Sequence, residues 1–393
     1  MLELWTCCER LISCRCQLLK PLTPYLTLDR LITIAQQFAG SRAVTDLRAF
    51  GSGNINDTFL VTIADELEPH FVLQRINTHV FQQPVLVMQN MRIFTEHVCA
   101  KIQSEPEPSD RRWAVPRVLL TIASRDHWVE PDGAYWRAIS FIDNSETIDI
   151  IQDPEHGREV GYALGKFHHL ISDLDPAKLA DTLVGFHITP QYLADYLQVL
   201  ATANPSRNRE VDYCLSFVRS RQEWARVLED AKDDGKLPLR PIHGDPKVNN
   251  VLICTTTQQA IGMIDLDTVK PGLVHYDLGD CLRSGCNRLG EDTKDWEQVH
   301  FDTQMCRAML DGYLSQARGF LSDYDYDYLF DAIRLIAFEL GLRFFTDYLA
   351  GNIYFKVKYP THNLDRALVQ FKLTESIESQ EITIRSMIEE LRE

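Results

Sequence analysis

From residue 144 to its end the chain carries helical periodicity almost throughout, and one compact β-like stretch, residues 239–267, interrupts it. Residues 155–172 set the pattern, with Val160, Leu164, Phe167 and Ile171 on one helical face. Helical patterns follow at 190–201, 208–232, 294–318 and 324–350, and again near the C-terminus. Before residue 144 the character is different. Residues 27–39 read as a helix with Leu31, Ile34, Ala35 and Phe38 on one side. Then come β-like segments at 48–63, broken by a glycine-bearing turn, and at 71–76, 117–122 and 134–142. Pro84 opens one prominent helix between them, with Val87, Met91, Phe94 and Val98 recurring at helical spacing. The expectation is α+β: a β-rich lobe over 27–143 and a larger, mainly helical lobe over 144–393 that holds the hairpin, with the linker near 140–144. Residues 1–26 read as a poorly ordered leader.

The interrupting stretch begins HGDPKVNN, residues 243–250, in the form H-x-D-x-x-x-x-N. That spacing is the one protein kinases use to put a hydroxyl-orienting carboxylate and a metal-binding amide on one tight loop. Two short apolar segments follow, separated by a polar turn, and the second ends at Asp265. A carboxylate delivered there suits Mg²⁺, which favours one or two carboxylates together with phosphate oxygens. Asp267 is a second candidate, on the same side of an extended chain. Each element alone is common in surface turns; their order and conjunction point to phosphoryl transfer.

Residues 51–58, GSGNINDT, lie between two strand-like segments. Glycines there let backbone N–H groups approach phosphate oxygens. The run precedes a strand and not a helix, which argues against a dinucleotide-binding fold. The G-x-x-x-x-G-K-[ST] phosphate loop is absent, and no nucleophile elbow accompanies any Ser–His–Asp set, so a hydrolase is disfavoured.

These stretches resemble the aminoglycoside phosphotransferase and choline kinase family, which has the protein-kinase-like two-lobe fold. Within it the chain is similar to N-acetylhexosamine 1-kinases, through residues 51–59, 71–77, 243–250, 264–272 with 276–280, 340–349 and 352–355. The resemblance implies an ATP- and Mg²⁺-dependent kinase for a sugar hydroxyl, the anomeric one of N-acetylglucosamine or N-acetylgalactosamine. It implies Asp245 as catalytic base and acceptor contact, and Asn250 and Asp265 as metal ligands. Gly51, Gly53, Thr58, Gln74 and Arg75 would serve the nucleotide, and Asn54, Arg343 and Tyr354 the sugar. Arg343 has the alternative of pairing with Asp347 one turn on, and Tyr354 that of a core residue. One departure stands out: Gln74 occupies the strand position where these folds carry a phosphate-binding Lys. Arg75 faces the other side of the strand, and Glu96, the carboxylate of the following helix, could pair with it. The cation for the phosphates is thereby left unassigned.

Composition narrows the remaining choices. The net charge of -16 repels nucleic-acid backbones and anionic lipid. No apolar run is long enough to span a bilayer, and the N-terminus lacks a signal-peptide core, which suggests the cytoplasm. Partners are then ATP and a small sugar, with the chain as monomer or homodimer. Cys7, Cys8, Cys14 and Cys16 cluster without zinc-type spacing, and the other cysteines are scattered as buried thiols usually are. Three rivals stay open: another small-molecule kinase of the same family, a non-catalytic nucleotide-binding regulator, and a protein kinase. The last is least favoured, since no A-P-E segment follows Asp265.

Overall fold

Alternation decides the first part of the chain: Phe59, Val61 and Ile63, then Phe71 and Leu73, turn one way, and the residues between them turn the other. The computed structural model describes residues 26–51, 55–65, 67–104, 111–203 and 208–393. The described residues up to 84, with 116–141, make one compact unit; residues 85–115 with 142–393 make another. The stretch 85–115, assigned to the β-rich lobe on sequence, therefore packs with the helical unit.

In the first unit, helix α1 (Leu28–Ala39) starts at Thr27, whose hydroxyl accepts the Arg30 N–H. Strands β1 (Val44–Ala49), β2 (Asp57–Ile63), β3 (His70–Ile76), β4 (Val118–Leu119), β5 (Trp128–Val129) and β6 (Tyr135–Ser140) form one antiparallel sheet. Its order is β1-β2-β3-β6-β4, with β5 also on β6. Leu31, Ile34, Ala35 and Phe38 of α1 close over Phe59, Val61, Phe71, Leu73, Trp136 and Ala138. The strand expected over 117–122 shrinks to Val118–Leu119.

The second unit starts with α2 (Pro84–Ser104), whose Phe94 stacks on Phe167 at 4.9 Å. Strand β7 (Ser145–Glu146) precedes α3 (Pro154–Ile171), which Asp153 caps. Helices α4 (Thr189–Thr202), α5 (Arg209–Arg221) and α6 (Val227–Asp233) follow; a 3₁₀ turn at Gln222–Arg226 breaks what the pattern over 208–232 suggested as one helix. Next come β8 (Arg240–Ile242), β9 (Val251–Cys254), β10 (Ala260–Met263) and β11 (Lys270–Gly272). The hairpin β9–β10 is not isolated: β7 adds a third strand to it, and β8 pairs with β11.

Six helices complete the unit: α7 (Val274–Gly285), α8 (Thr303–Ala317), α9 (Asp323–Asp327), α10 (Leu329–Leu349), α11 (His362–Ser379) and α12 (Glu381–Arg392). α3 and α8 cross at backbone distance. A Cβ on Gly161 would stand 1.9 Å from the Met309 carbonyl oxygen, and one on Gly312 would stand 2.0 Å from that of Arg158. α10 is buried along most of its length, and its Phe338 and Phe345 join Phe217 and Phe371 in an aromatic core. The described cysteines are all free thiols, four of the six buried, while Cys7, Cys8, Cys14 and Cys16 lie outside the described residues with the rest of the leader. Among the described residues no helix is long and apolar enough to cross a membrane.

Candidate active site

The loop after β8 is held by a buried carboxylate. Asp277, on α7, accepts the backbone N–H groups of His243 at 2.6 Å and Gly244 at 2.8 Å. His168 of α3 meets the same carboxylate through Nε2 at 2.9 Å, while its Nδ1 lies 3.1 Å from the Tyr313 hydroxyl. His168 is thus a buried histidine with both nitrogens engaged. Gly244 has φ +86°, and a Cβ there would stand 2.6 Å from the Thr268 carbonyl oxygen, so only glycine fits.

His243 is an internal strut. Its Nε2 faces the Ile264 carbonyl oxygen at 2.9 Å, which can only accept, so Nε2 carries the hydrogen. Its Nδ1 then accepts the Asp245 N–H at 3.3 Å. Burial pushes the ring below its ordinary pKa, in keeping with this neutral tautomer. The loop is thereby tied to the end of β10, where the metal-ligand candidates converge. Asn250 donates its Nδ2 to the Asp245 carbonyl at 2.7 Å, leaving Oδ1 as the amide atom for a cation. Its own carbonyl takes the Ile264 N–H at 2.9 Å, and Met263 is paired with Val251. Asn250 and Asp265 consequently flank the same open end of the hairpin.

Asp265 adopts a left-handed conformation, φ 65° and ψ 54°, and a 3₁₀ turn follows at Leu266–Thr268. The chain is not extended there. The alternation that put Asp267 beside Asp265 does not apply, and Asp267 is buried. Asn250 and Asp265 fit a Mg²⁺ ion that takes most of its oxygens from phosphates and water, since the set is oxygen-only and small. Among the described residues no group of three or more His, Cys, Asp or Glu could hold a metal alone.

Lys247 was not singled out from sequence as a site residue. Its Nζ lies 2.9 Å from Asp245 Oδ2, and the charges of Asp245, Asp265 and Asp280 together outweigh burial and raise it. Asp280, on α7, is buried; Oδ1 meets Arg283 at 2.9 Å and Oδ2 has no hydrogen-bond partner. Burial would raise this carboxyl, but Arg283, His187, Lys247 and lesser contacts hold it below the usual range.

Arg343, on α10, is mostly buried. Its guanidinium lies over the rings of Tyr192 (4.9 Å), Phe186 (5.1 Å) and Phe355 (5.6 Å). Its ionic neighbour is Glu339, at 4.0 Å one turn back, and not Asp347 one turn on. Asp347 is engaged elsewhere, accepting the N–H groups of Ile353 (2.9 Å), Tyr354 (2.8 Å) and Phe355 (3.0 Å). Tyr354 is 65% exposed, which removes the core alternative. Asp280, Tyr192 and Tyr354 all act on Arg343 electrostatically, so these residues share one neighbourhood.

In the sheet unit, Thr58, Gln74 and Arg137 sit in register across β2, β3 and β6. Gln74 donates to the Thr58 hydroxyl at 3.1 Å and accepts from Arg137 Nε (2.9 Å) and Nη2 (2.7 Å). Arg137 is buried, on the same sheet face as Gln74. An arginine within the apolar strand YWRAIS is the sequence signal for it. Arg75 bonds Asp57 at 2.8 Å, whereas Glu96 is exposed and pairs with Arg92. Gly51 has φ +75° and lies in the exposed turn; Gly53 and Asn54 fall outside the described residues.

Comparison with known proteins follows the same lines. A model of the phosphotransferase enzyme family matches residues 46–319, more than half the chain. An aminoglycoside phosphotransferase from Alicyclobacillus acidocaldarius superposes with a TM-score of 0.60 at 17% identity, over 96% of this chain and 99% of that one. A microcompartment-associated aminopropanol kinase gives 0.60 at 18%, over 89% and 98%. An amicoumacin kinase, solved in complex with AMP-PNP, Ca²⁺ and Ami, gives 0.57 at 13%, over 90% and 94%. These likenesses establish the expected α+β kinase-like architecture, a sheet-rich N-terminal unit with a helical C-terminal one.

Proposed function

Since the chain belongs to the phosphotransferase enzyme family, whose members pass phosphate to alcohols on small molecules, we propose that it is an ATP- and Mg²⁺-dependent sugar kinase. The acceptor is the anomeric hydroxyl of N-acetylglucosamine or N-acetylgalactosamine, and the cytoplasm is its place of work.

Asp245 orients the acceptor hydroxyl and takes its proton as the new P–O bond forms, while the bond from the γ-phosphorus to the β-phosphate oxygen breaks and ADP leaves. Asn250 Oδ1 and the Asp265 carboxylate would hold the Mg²⁺, whose charge would offset that of the phosphate oxygens. Lys247, already against Asp245, offers its ammonium to the transferred phosphoryl group. Arg137 supplies the sheet's positive charge where Gln74 replaces the strand Lys, and Gln74 aims it by accepting two of its hydrogen bonds. Thr58, Gly51, Gly53 and Arg75 serve the nucleotide; Arg75 acts indirectly, through its pair with Asp57.

The observation that carries the sugar reading is Arg343 framed by Phe186, Tyr192 and Phe355, with Tyr354 exposed beside it. A neutral ring with apolar faces and an amide carbonyl suits that setting, with Asn54 as a further contact. A cationic amino alcohol would face a guanidinium there, at a Coulombic cost. One observation favours the second reading, an amine-bearing acceptor: the buried Asp280 Oδ2 has no hydrogen-bond partner and would suit an ammonium.

ADP release separates the two. With MgATP, the enzyme is expected to turn over with N-acetylglucosamine or N-acetylgalactosamine and not with choline, aminopropanol or kanamycin. The product should show an anomeric phosphate by phosphorus NMR. Turnover with the amines alone would replace the sugar reading, and no ADP release with any acceptor would favour a nucleotide-binding regulator.

A further inference from the structure

We propose that His187, set between the carboxylate of Glu339 and the carbonyl of Gly244, is a positioning residue that fixes the catalytic loop. The inference rests on the reading of Asp245 as the catalytic carboxylate.

His187 and Glu339 are both buried, at 4% and 1% side-chain exposure. Nε2 of His187 lies 3.0 Å from the Gly244 carbonyl oxygen, and Nδ1 lies 3.0 Å from Glu339 Oε1. A carbonyl only accepts, so Nε2 carries a hydrogen. Glu339 Oε2 accepts the Thr189 hydroxyl at 2.7 Å, and Arg343 stands 4.0 Å from Oε1. Those neighbours donate to Glu339, and its Oε1 accepts from Nδ1, which carries a hydrogen too. His187 is therefore an imidazolium under the loop. Burial alone would lower its pKa; Glu339, together with Asp280 and the Gly244 carbonyl, outweighs burial and raises it.

Packing alone does not ask for this arrangement. His187 sits at φ +66°, a left-handed conformation that a side-chain-bearing residue adopts rarely, and both its nitrogens are directed. Its ring also stacks on Tyr276, the neighbour of Asp277, at 5.5 Å. Asp277 holds the N–H of Gly244 and His187 holds its C=O. The peptide groups on both sides of Gly244 are thereby fixed, and with them the approach of Asp245. Glu339 shares its helix with Arg343, so the loop and the acceptor side hang from one carboxylate.

The test compares His187→Ala, Glu339→Gln and the double variant, with Asp245→Ala in parallel. Two reactions are followed: ADP release from MgATP with N-acetylglucosamine, and slow MgATP hydrolysis with water as acceptor. Both single variants are expected to lose about 10- to 100-fold in kcat in both reactions. KM and calorimetric affinity for ATP should stay within about twofold, and the double variant should be no worse than either single one. Near-wild-type kcat in a folded single variant, multiplied losses in the double, or losses of ATP affinity matching those of kcat would overturn the proposal. Should His187→Ala not fold, Glu339→Gln keeps the side-chain shape and carries the same expectation. If Asp245→Ala itself turns over normally, the reading of the loop fails; if it is inactive while His187→Ala is unimpaired, only the positioning role fails.

Discussion

Two loops of the helical unit are tied down by the same device and put it to different ends. At 243–244 the buried Asp277 accepts two consecutive backbone N–H groups; at 353–355 the buried Asp347 accepts three. In each case a helix carboxylate fixes a backbone path that no ladder of secondary structure would hold, because a buried acceptor that loses its donors is expensive. The side chains then diverge. His243 is fully buried and bonds at both nitrogens, and Asn250 spends its Nδ2 on the loop itself. Ile353 and Tyr354 are 81% and 65% exposed. Fixing the backbone and the side chains suits reacting groups that tolerate little displacement; fixing only the backbone leaves a surface whose side chains can change with the acceptor.

The largest effect should come from the reacting end. Asp245→Ala is expected to lower kcat by about three orders of magnitude or more while calorimetric ATP affinity changes little. Turnover within tenfold of wild type would remove Asp245 from the mechanism and the comparison with it. The two anchors should then separate by kinetic parameter. Asp277→Asn turns one carboxylate oxygen into a donor against the N–H groups of the loop, and kcat should fall about 100-fold with a lower Tm. Asp347→Asn makes the same change at the other loop. There KM for the acceptor should rise about tenfold with kcat nearly kept, as expected when a binding contact and not the chemistry is disturbed. Matching kinetic changes in the two variants would mean that the loops do not divide the work.

What the sequence disclosed was the local part of this arrangement. The loop spacing, the hairpin and the pair proposed for the metal are read from a single contiguous stretch, and the strands announce themselves by alternation. The anchors were not legible. Helix α7 does carry a polar stripe, Asp277, Asp280 and Arg283 three residues apart, but that stripe is buried and serves internal bonds, so it does not mark a solvent face. The bonds from Asp277 to the loop span more than thirty positions and that from His187 to Glu339 spans 152, and no periodicity encodes such pairings. Arg343 pairs backward with Glu339 because Asp347 is taken by three backbone groups that only the folded loop brings to it. The alternation expected to carry Asp267 to the side of Asp265 fails for a backbone reason, the left-handed turn at 265.

The smallest effect concerns the outer end of the acceptor loop, where partly exposed charges join the buried His362 in holding the chain. Asp292 bonds Lys358 Nζ at 2.7 Å, Arg366 Nε at 2.7 Å and His362 Nε2 at 3.1 Å. Since His362 Nδ1 accepts the Lys358 N–H, its Nε2 carries the hydrogen that faces Asp292. Burial would raise this carboxyl, but Lys358 and Arg366 hold it down at about 2. A folded-state value below the ordinary one means that the contribution to stability is present above about pH 4 and is lost as pH falls toward 2. Asp292 is 41% exposed and Lys358 70%, so solvent screening caps the contribution at about 1 kcal/mol. Asp292→Asn should therefore lower Tm by about 1–2 °C at pH 6, and the gap should narrow steadily as melting is repeated down to pH 3. A gap unchanged at pH 3 would mean that shape, not charge, holds Lys358, and that this end of the loop is anchored much as Asp347 anchors the other.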